Sequence, residues 1–311
     1  KEFLKGKRKK ADVQEFQFHL NDEIVNLHQD LISGEYVHGN YRHFRINDPK
    51  PRDIHKASVR DRLLHHAIHR KLYPFFAKLF IQDSFSCQTN KGLHLAIRRF
   101  EKLTRRAGCN NTRTCWILKC DIRKFFASID HQILFNILRD HISDIRLLNL
   151  LARIIRSFEV CSNKGIPLGN LTSQLFANIY MNEFDRFVKN NIRIKYYIRY
   201  ADDFVILSCD KSELLDHLAK ITAFLSEQLI LILHQNRVFI KILVSGVDFL
   251  GWVHFSHHCA LRTKTKIRMR RRVSHCQDRQ TVESYLGMLT HGNAFGLSED
   301  LKNLYWLLES K

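Results

Sequence analysis

A chain of 311 residues with 45% hydrophobic and 26% charged side chains carries enough apolar material for one large or two small globular domains, which excludes a disordered or fibrous polymer. Its 50 Lys and Arg outnumber 31 Asp and Glu, leaving a net charge of +19 whose natural counter-surface is nucleic acid, with a merely soluble basic protein or a membrane-surface binder as the plainer readings. No apolar run approaches the roughly 18–20 residues needed to cross a bilayer, no signal peptide is visible, and Lys1 as first residue suggests a trimmed start.

Eight cysteines stand at 87, 109, 115, 120, 161, 209, 259 and 276 without a C-x-x-C pair, mostly in apolar segments, and read as reduced buried thiols of a cytosolic protein. His65 and His69 have helical spacing, and His257, His258 and Cys259 are adjacent, but neither group is a full zinc ligand set. They read as structural or solvated histidines.

Lys1, Lys5, Lys7, Arg8, Lys9 and Lys10 make a basic arm, either frayed or laid on phosphates, that leads into a helix ending near residue 30. Gly34 and Gly39 mark a turn region, and Phe44-Arg45-Ile46 alternates as a short strand. Pro49 and Pro51 then hold the chain extended and leave Lys50 and Arg52 projecting. Such cations suit a triphosphate, which Arg can grip in bidentate fashion, although a solvated turn explains them equally well. Leu63, Leu64, Ala67, Ile68, Leu72, Phe75, Phe76 and Leu79 predict an amphipathic helix over about 60–80, with Pro74 as a kink. A second such helix spans 91–107, and its polar face carries Arg98, Arg99, Lys102, Arg105 and Arg106.

Thr114 to Cys120 predicts a buried strand that ends on Asp121. Asp130 suits the N-cap of the helix that follows, whereas Asp121 has no capping role. Tyr200-Ala201-Asp202-Asp203 lies between two aromatic and β-branched runs, 195–199 and 204–209, and so predicts a hairpin turn. Two adjacent carboxylates there repel, and a bound cation would relieve them; a polar turn is the alternative. With Asp121 as a third carboxylate, strand ends could hold two Mg²⁺ ions roughly 3.5–4 Å apart, as in phosphoryl transfer. After the hairpin come a helix over 211–228, strands near 238–244 and 247–255 with Gly246 between them, and a basic run of Lys264, Lys266, Arg268, Arg270, Arg271 and Arg272. Helical segments close the chain at Leu304, Trp306, Leu307 and Leu308.

These motifs, in this order, resemble the polymerase palm of reverse transcriptases. Asp121 with Phe125-Phe126 behind it, the Tyr-Ala-Asp-Asp hairpin, the loop and helix from Lys164 through Gly169 to Ile179, and Phe249-Leu250-Gly251-Trp252 all match. The resemblance implies an α+β right-hand polymerase fold: an antiparallel sheet with helices on one face, plus a small helical thumb. The expected divisions are an arm and helix over 1–30, fingers and palm over 31–258, and a thumb over 259–311. It makes Asp121, Asp202 and Asp203 the catalytic acids and, with Ile122, the set holding two Mg²⁺, for which Mn²⁺ could substitute. Lys50, Arg52, Phe126, Leu168, Gly169 and Gln174 would contact the incoming nucleotide, Phe126 as the ring that excludes a ribose 2′-OH, while Phe125 reads as core. Phe249, Leu250, Gly251 and Trp252 would form the primer grip, and the six cations from Lys264 to Arg272 would hold the template–primer duplex. The family usually has a lysine near Arg237, so no triphosphate role is expected for Arg237.

A departure narrows the family. Group II intron enzymes and most bacterial relatives have Gln before the loop glycine and Ser-Pro after it; here stand Leu168 and Ser173-Gln174. The string Leu-Gly-x-x-x-Ser-Gln resembles the reverse transcriptases of diversity-generating retroelements, and the retron-type Val-Thr-Gly signature is absent. That subfamily copies a template repeat RNA into adenine-mutagenic cDNA that diversifies a target gene. The resemblance therefore implies template RNA, cDNA primer and dNTPs as ligands, a small basic helical accessory protein as partner, and the cytoplasm of a bacterial or phage-infected cell. A group II intron-like or defence-associated enzyme of ordinary fidelity and a non-catalytic RNA-binding scaffold remain the alternatives.

Overall fold

The computed structural model describes residues 2–48, 50–275 and 278–309; Lys1, Pro49 and Cys276 lie outside the described residues, as does the side chain of Leu308. Helices α1 (Ala11–Phe18) and α2 (Leu20–Ser33) follow the basic start, and Gly34 ends α2 at φ +74°, a left-handed cap that glycine adopts without steric cost. The sequence predicts one strand next; the structure forms two. β1 (Arg42–Ile46) and β2 (Arg52–Lys56) pair antiparallel with Ile46 opposite Arg52, so the Lys50–Pro51 stretch belongs to a hairpin loop rather than an extended spacer. Arg-Asp-Ile-His-Lys has a single apolar residue and carries no alternation signal, which hid β2.

α3 (Val59–Phe76) contains Pro74, and α4 (Leu93–Ala107) follows it. Ser58 caps α3 and also donates to Asp61 Oδ2 at 2.6 Å, while Tyr36 donates to Oδ1 at 2.7 Å. Beside this knot His65, 1% exposed, meets His38 with 3.3 Å between their Nε2 atoms. Burial pulls His65 from 6.5 down to about 4, with His38 adding to the effect. Its neutral form is the one the fold accepts. Stability from this site is therefore complete above the unfolded-state pKa and drains away as pH falls toward the folded one. We expect urea unfolding to show a loss of about 3 kcal/mol between neutral pH and pH ~4 that His65→Gln abolishes; equal pH slopes in both proteins would refute it.

β3 (Trp116–Asp121) leads through the short α5 (Phe125–Ser128) to α6 (His131–His141) and α7 (Ile145–Arg156). Asp130 caps α6 as expected, accepting from the amides of Gln132 and Ile133. α8 (Leu171–Arg186), β4 (Tyr197–Tyr200), β5 (Asp203–Ser208), α9 (Lys211–Gln228) and β6 (Phe239–Ile242) complete a four-stranded antiparallel sheet in the order β4-β5-β3-β6. Helices on one face were expected; the structure covers both. Leu118, Cys120, Phe204 and Ile206 join the core with α6, α8 and α9, whereas Ile117, Ile198, Val205 and Leu207 pack against Phe100 and Leu103 of α4. Strands buried on both faces read as continuous apolar runs, a pattern that signals a second layer without saying which element supplies it.

β7 (Val247–Phe249), β8 (Trp252–His254) and β9 (Cys259–Leu261) form a separate antiparallel sheet. The single strand predicted over 247–255 is thus broken at Leu250-Gly251, where φ is +53° and +91°. The expected boundary at 258/259 falls inside the β8–β9 hairpin. Helices α10 (Thr263–His275), α11 (Arg279–Leu289) and α12 (Phe295–Glu309) share a core with Trp252 through Met269, Val273, Leu289 and Leu301. Gly292 has to be glycine, because a Cβ there would come 2.1 Å from the Trp252 ring. Among the described cysteines only Cys115, Cys120 and Cys259 are buried; Cys87, Cys109, Cys161 and Cys209 are exposed, against expectation. No described helix is long and apolar enough to cross a membrane.

Candidate active site

Sheet register assembles the acids. β3 and β5 pair so that Asp121 lies opposite Asp203, and Tyr200 lies opposite the same Asp203 across the β4–β5 hairpin. Ala201 and Asp202 form the turn, and Ile122 N donates to Asp202 O at 3.2 Å, tying the turn to the strand that carries Asp121. Ala201 sits at φ +56°, a conformation that disfavours a side chain and persists only where its surroundings hold it. What holds it is Arg199. Its guanidinium donates to Ala201 O at 3.0 Å, to both Asp185 oxygens at 2.8 and 2.6 Å, and to Ser84 Oγ at 2.9 Å. Tyr197 adds a 2.7 Å bond to Asp185, and the Arg199 and Asp185 side chains are 1% and 0% exposed. A bidentate, fully desolvated ion pair thus lies directly beneath the turn.

Positive charge is in demand above it. Burial raises Asp202, and the Asp121 charge raises it further, while Arg52 and Lys50 pull the other way. Burial also lifts Asp203 to about 6, with Asp121 and Asp202 adding and Lys119 opposing. Lys119 Nζ lies 3.1 Å from Asp203 Oδ2, yet the buried Oδ1 has no hydrogen-bond partner among the described residues. Arg237 Nη1 lies 3.0 and 3.3 Å from the two oxygens of Asp121. Three converging carboxylates, one with an orphaned oxygen and two with raised pKa values, fit hard divalent cations such as Mg²⁺.

The residues expected from sequence to contact the nucleotide come from separate elements. Lys50 and Arg52 stand exposed on the β1–β2 hairpin, close enough to act on Asp202. Leu168 O accepts from His55 N at 3.0 Å, and Asn170 bridges Ala57 N and His55 O, so the loop is laced to β2. Gly169, at φ +105°, approaches Ile54 so closely that a Cβ would lie 2.8 Å from its methyl group. Gln174 is half-buried on the first turn of α8, and half-buried Phe126 meets core residue Phe125 edge-on at 5.5 Å. In the primer-grip string, Phe249 and Trp252 are core residues, and only the Leu250-Gly251 turn reaches the surface. The basic run lies on α10, where Arg268 and Arg272 pair with Asp48 of the β1–β2 loop and Arg270 pairs with Asp300. Lys264, Lys266 and Arg271 share the helix.

Sequence reasoning missed Lys119, Arg199 and Asp185, and it weighed Arg237 only for the triphosphate and not for Asp121. Lys119 was within reach, since residues two apart on a strand share a face with Asp121. The other three depend on contacts between distant segments.

A central antiparallel sheet bearing acids on β3 and on the β4–β5 hairpin is the arrangement of a right-hand polymerase palm. Residues 47–254 match the reverse transcriptase (RNA-dependent DNA polymerase) family, and the chain belongs to it. It is similar to Protein YkfC of Escherichia coli (strain K12), 27% identical over 231 residues that cover 61% of this chain and 60% of the relative. It is also similar to the group II intron-encoded protein LtrA of Lactococcus lactis subsp. cremoris, 24% identical over 54% of this chain and 28% of the relative. Apo telomerase from Candida tropicalis superposes with a TM-score of 0.56 at 11% identity, covering 86% of this chain and 56% of that one, a likeness of fold alone. The chain spans less than two thirds of the length of each of these proteins.

Proposed function

We propose that the chain is an RNA-directed DNA polymerase whose catalytic acids are Asp121, Asp202 and Asp203. The observation that carries this reading is the β3–β5 register, which sets Asp121 opposite Asp203 beside the Asp202 turn. In the reaction the primer 3′-oxygen bonds to the α-phosphorus of a dNTP as the bond to pyrophosphate breaks, and the hydroxyl proton leaves. Two divalent cations, Mg²⁺ or Mn²⁺, bound by the three acids and Ile122 would lower the hydroxyl pKa and neutralise the pyrophosphate. Lys50 and Arg52 grip the triphosphate, and Phe126 excludes a 2′-OH. Leu168, Gly169 and Gln174 wall the base pocket. The Leu250-Gly251 turn and the cations of α10 hold a template RNA and its cDNA through the backbone, while base pairing supplies the sequence. Lys119 and Arg237 occupy the acids' negative charge until substrate and cations arrive.

Within this activity we assign the error-prone, diversity-generating class, supported by Leu168 and the Ser173-Gln174 pair. A Gln at position 168 would offer hydrogen bonds to the nucleotide, whereas Leu offers shape alone, and a pocket without polar checks rejects mismatches weakly. Leu168→Gln should reduce adenine misincorporation about 2- to 12-fold, the worth of one net hydrogen bond, as read by sequencing the cDNA. An unchanged error spectrum would favour the second reading, an enzyme of ordinary fidelity like the group II intron proteins, which the similarity to LtrA supports. The diversity-generating reading also carries a small basic helical accessory protein as partner. Two basic proteins repel, so shared RNA would have to join them.

A further inference from the structure

Outside the acids, one cluster of donor atoms lies where α4 meets the β8–β9 hairpin. Glu101, His254 and Cys259 each place a ligand atom within 4.8 Å of the others. His254 and Cys259 are directly paired across β8 and β9, so the hairpin itself sets two of the three. The histidine is oriented for the purpose. Its Nε2 lies 3.3 Å from Phe249 O, and a carbonyl only accepts, so Nε2 carries the proton and Nδ1 the lone pair. That Nδ1 is buried, in a residue 2% exposed, and has no hydrogen-bond partner among the described residues. A buried acceptor left without a partner is costly, and a cation would satisfy it.

We propose that Glu101, His254 and Cys259 form a zinc site. Imidazole nitrogen, thiolate and carboxylate are the donor set that Zn²⁺ binds tetrahedrally, and the thiolate disfavours Mg²⁺. The three residues border a cavity of about 380 Å³ lined also by Thr104, Arg105, His258 and His291, from which a water would supply the fourth ligand. Burial, then the Glu101 charge, hold the Cys259 thiol protonated, and Zn²⁺ would displace that proton to solvent as the Zn–S bond forms. The carbonyl of Phe249 plays the outer-sphere part that fixes a ligating histidine. The ion would join α4 to the β8–β9 hairpin, which the 3.0 Å bond from Asn293 N to Cys259 O already ties to the α11–α12 turn. The sequence reading set His257, His258 and Cys259 aside as an incomplete ligand set; the fold brings Cys259 to His254 and Glu101.

The test is zinc binding by the full chain after chelation, independent of polymerisation. Titrated Zn²⁺ should bind wild type and Cys161→Ser, raising their thermal midpoints. Glu101→Gln and Cys259→Ser should bind at least about 100-fold more weakly, beyond the range typical for outer partners. Co²⁺ in place of zinc should give a thiolate-to-cobalt absorption band that Cys259→Ser abolishes. If Cys259→Ser fails to fold, the half-buried Glu101→Gln and the wild-type cobalt spectrum decide. Absence of binding by wild type, a cobalt spectrum without the thiolate band, or affinity unchanged in Glu101→Gln would overturn the site. So would loss of binding in Cys161→Ser.

Discussion

Asp202→Asn should lower divalent-cation-dependent cDNA synthesis on an RNA template by about 10³-fold or more, while leaving the protein as stable as wild type or more so. The loss follows because no other group on the turn offers the acids' oxygen donors, and removing one preorganised electrostatic group from a transition state costs about 10²–10³-fold even where no metal ligand is involved. The stability follows from the sign of the shift. Burial and the Asp121 charge raise the Asp202 pKa, so the ionised form that dominates at neutral pH opposes folding. A group with a raised folded pKa contributes stability at low pH and loses it as pH rises, and Asn removes that penalty. Primer extension and metal-free thermal unfolding, run on one preparation, check both halves. Equal incorporation by the two proteins would sink the proposed activity, and a strongly destabilised variant would mean that Asp202 is structural.

The second large effect belongs to the ion pair beneath the turn. Asp185→Asn or Arg199→Met alone should cost about 3–5 kcal/mol, because each strands its partner as an uncompensated charge in the core. That is a large share of the roughly 5–15 kcal/mol typical of a folded domain. Replacing the cluster together, as Arg199→Met, Asp185→Leu and Tyr197→Phe, should restore most of the stability, since apolar side chains of similar size often match a buried pair. Activity should not return with it. The Arg199 bond to Ala201 O is gone, the turn is free to leave its left-handed conformation, and a displacement of about 1 Å at a reacting group costs on the order of 10²-fold. Urea unfolding and primer extension separate the two. Wild-type extension by the triple variant would show that Arg199 does not position the acids.

Helix α10 and the β1–β2 loop make a contact that composition alone could not place. Arg268 and Arg272 of α10 reach across to Asp48 in the β1–β2 loop, the loop that also carries Lys50. Part of the basic run is therefore engaged within the protein rather than presented to a duplex. An exposed ion pair of this kind contributes about 1 kcal/mol or less, so phosphates can displace it readily.

The sequence by itself determined the local elements and singled out the three carboxylates that the sheet register brings together. The helices at Val59–Phe76, Leu93–Ala107 and Lys211–Gln228 follow their apolar periodicity, and the strand ending on Asp121 follows its apolar run. Asp130 was legible as a cap because capping needs only neighbouring residues. The Tyr-Ala-Asp-Asp hairpin was legible for the same reason, since a turn between two apolar strands is a local pattern. Only the tertiary structure decided the rest. It hid β2 in a polar pentapeptide, split the predicted 247–255 strand at Leu250-Gly251, and covered the sheet on both faces. It paired Arg199 with Asp185, Arg237 with Asp121, and Glu101 with His254 and Cys259. Each of these is a meeting of side chains from separate segments, and their energies arise from burial and proximity. Burial and proximity are properties of the folded chain that no local pattern encodes.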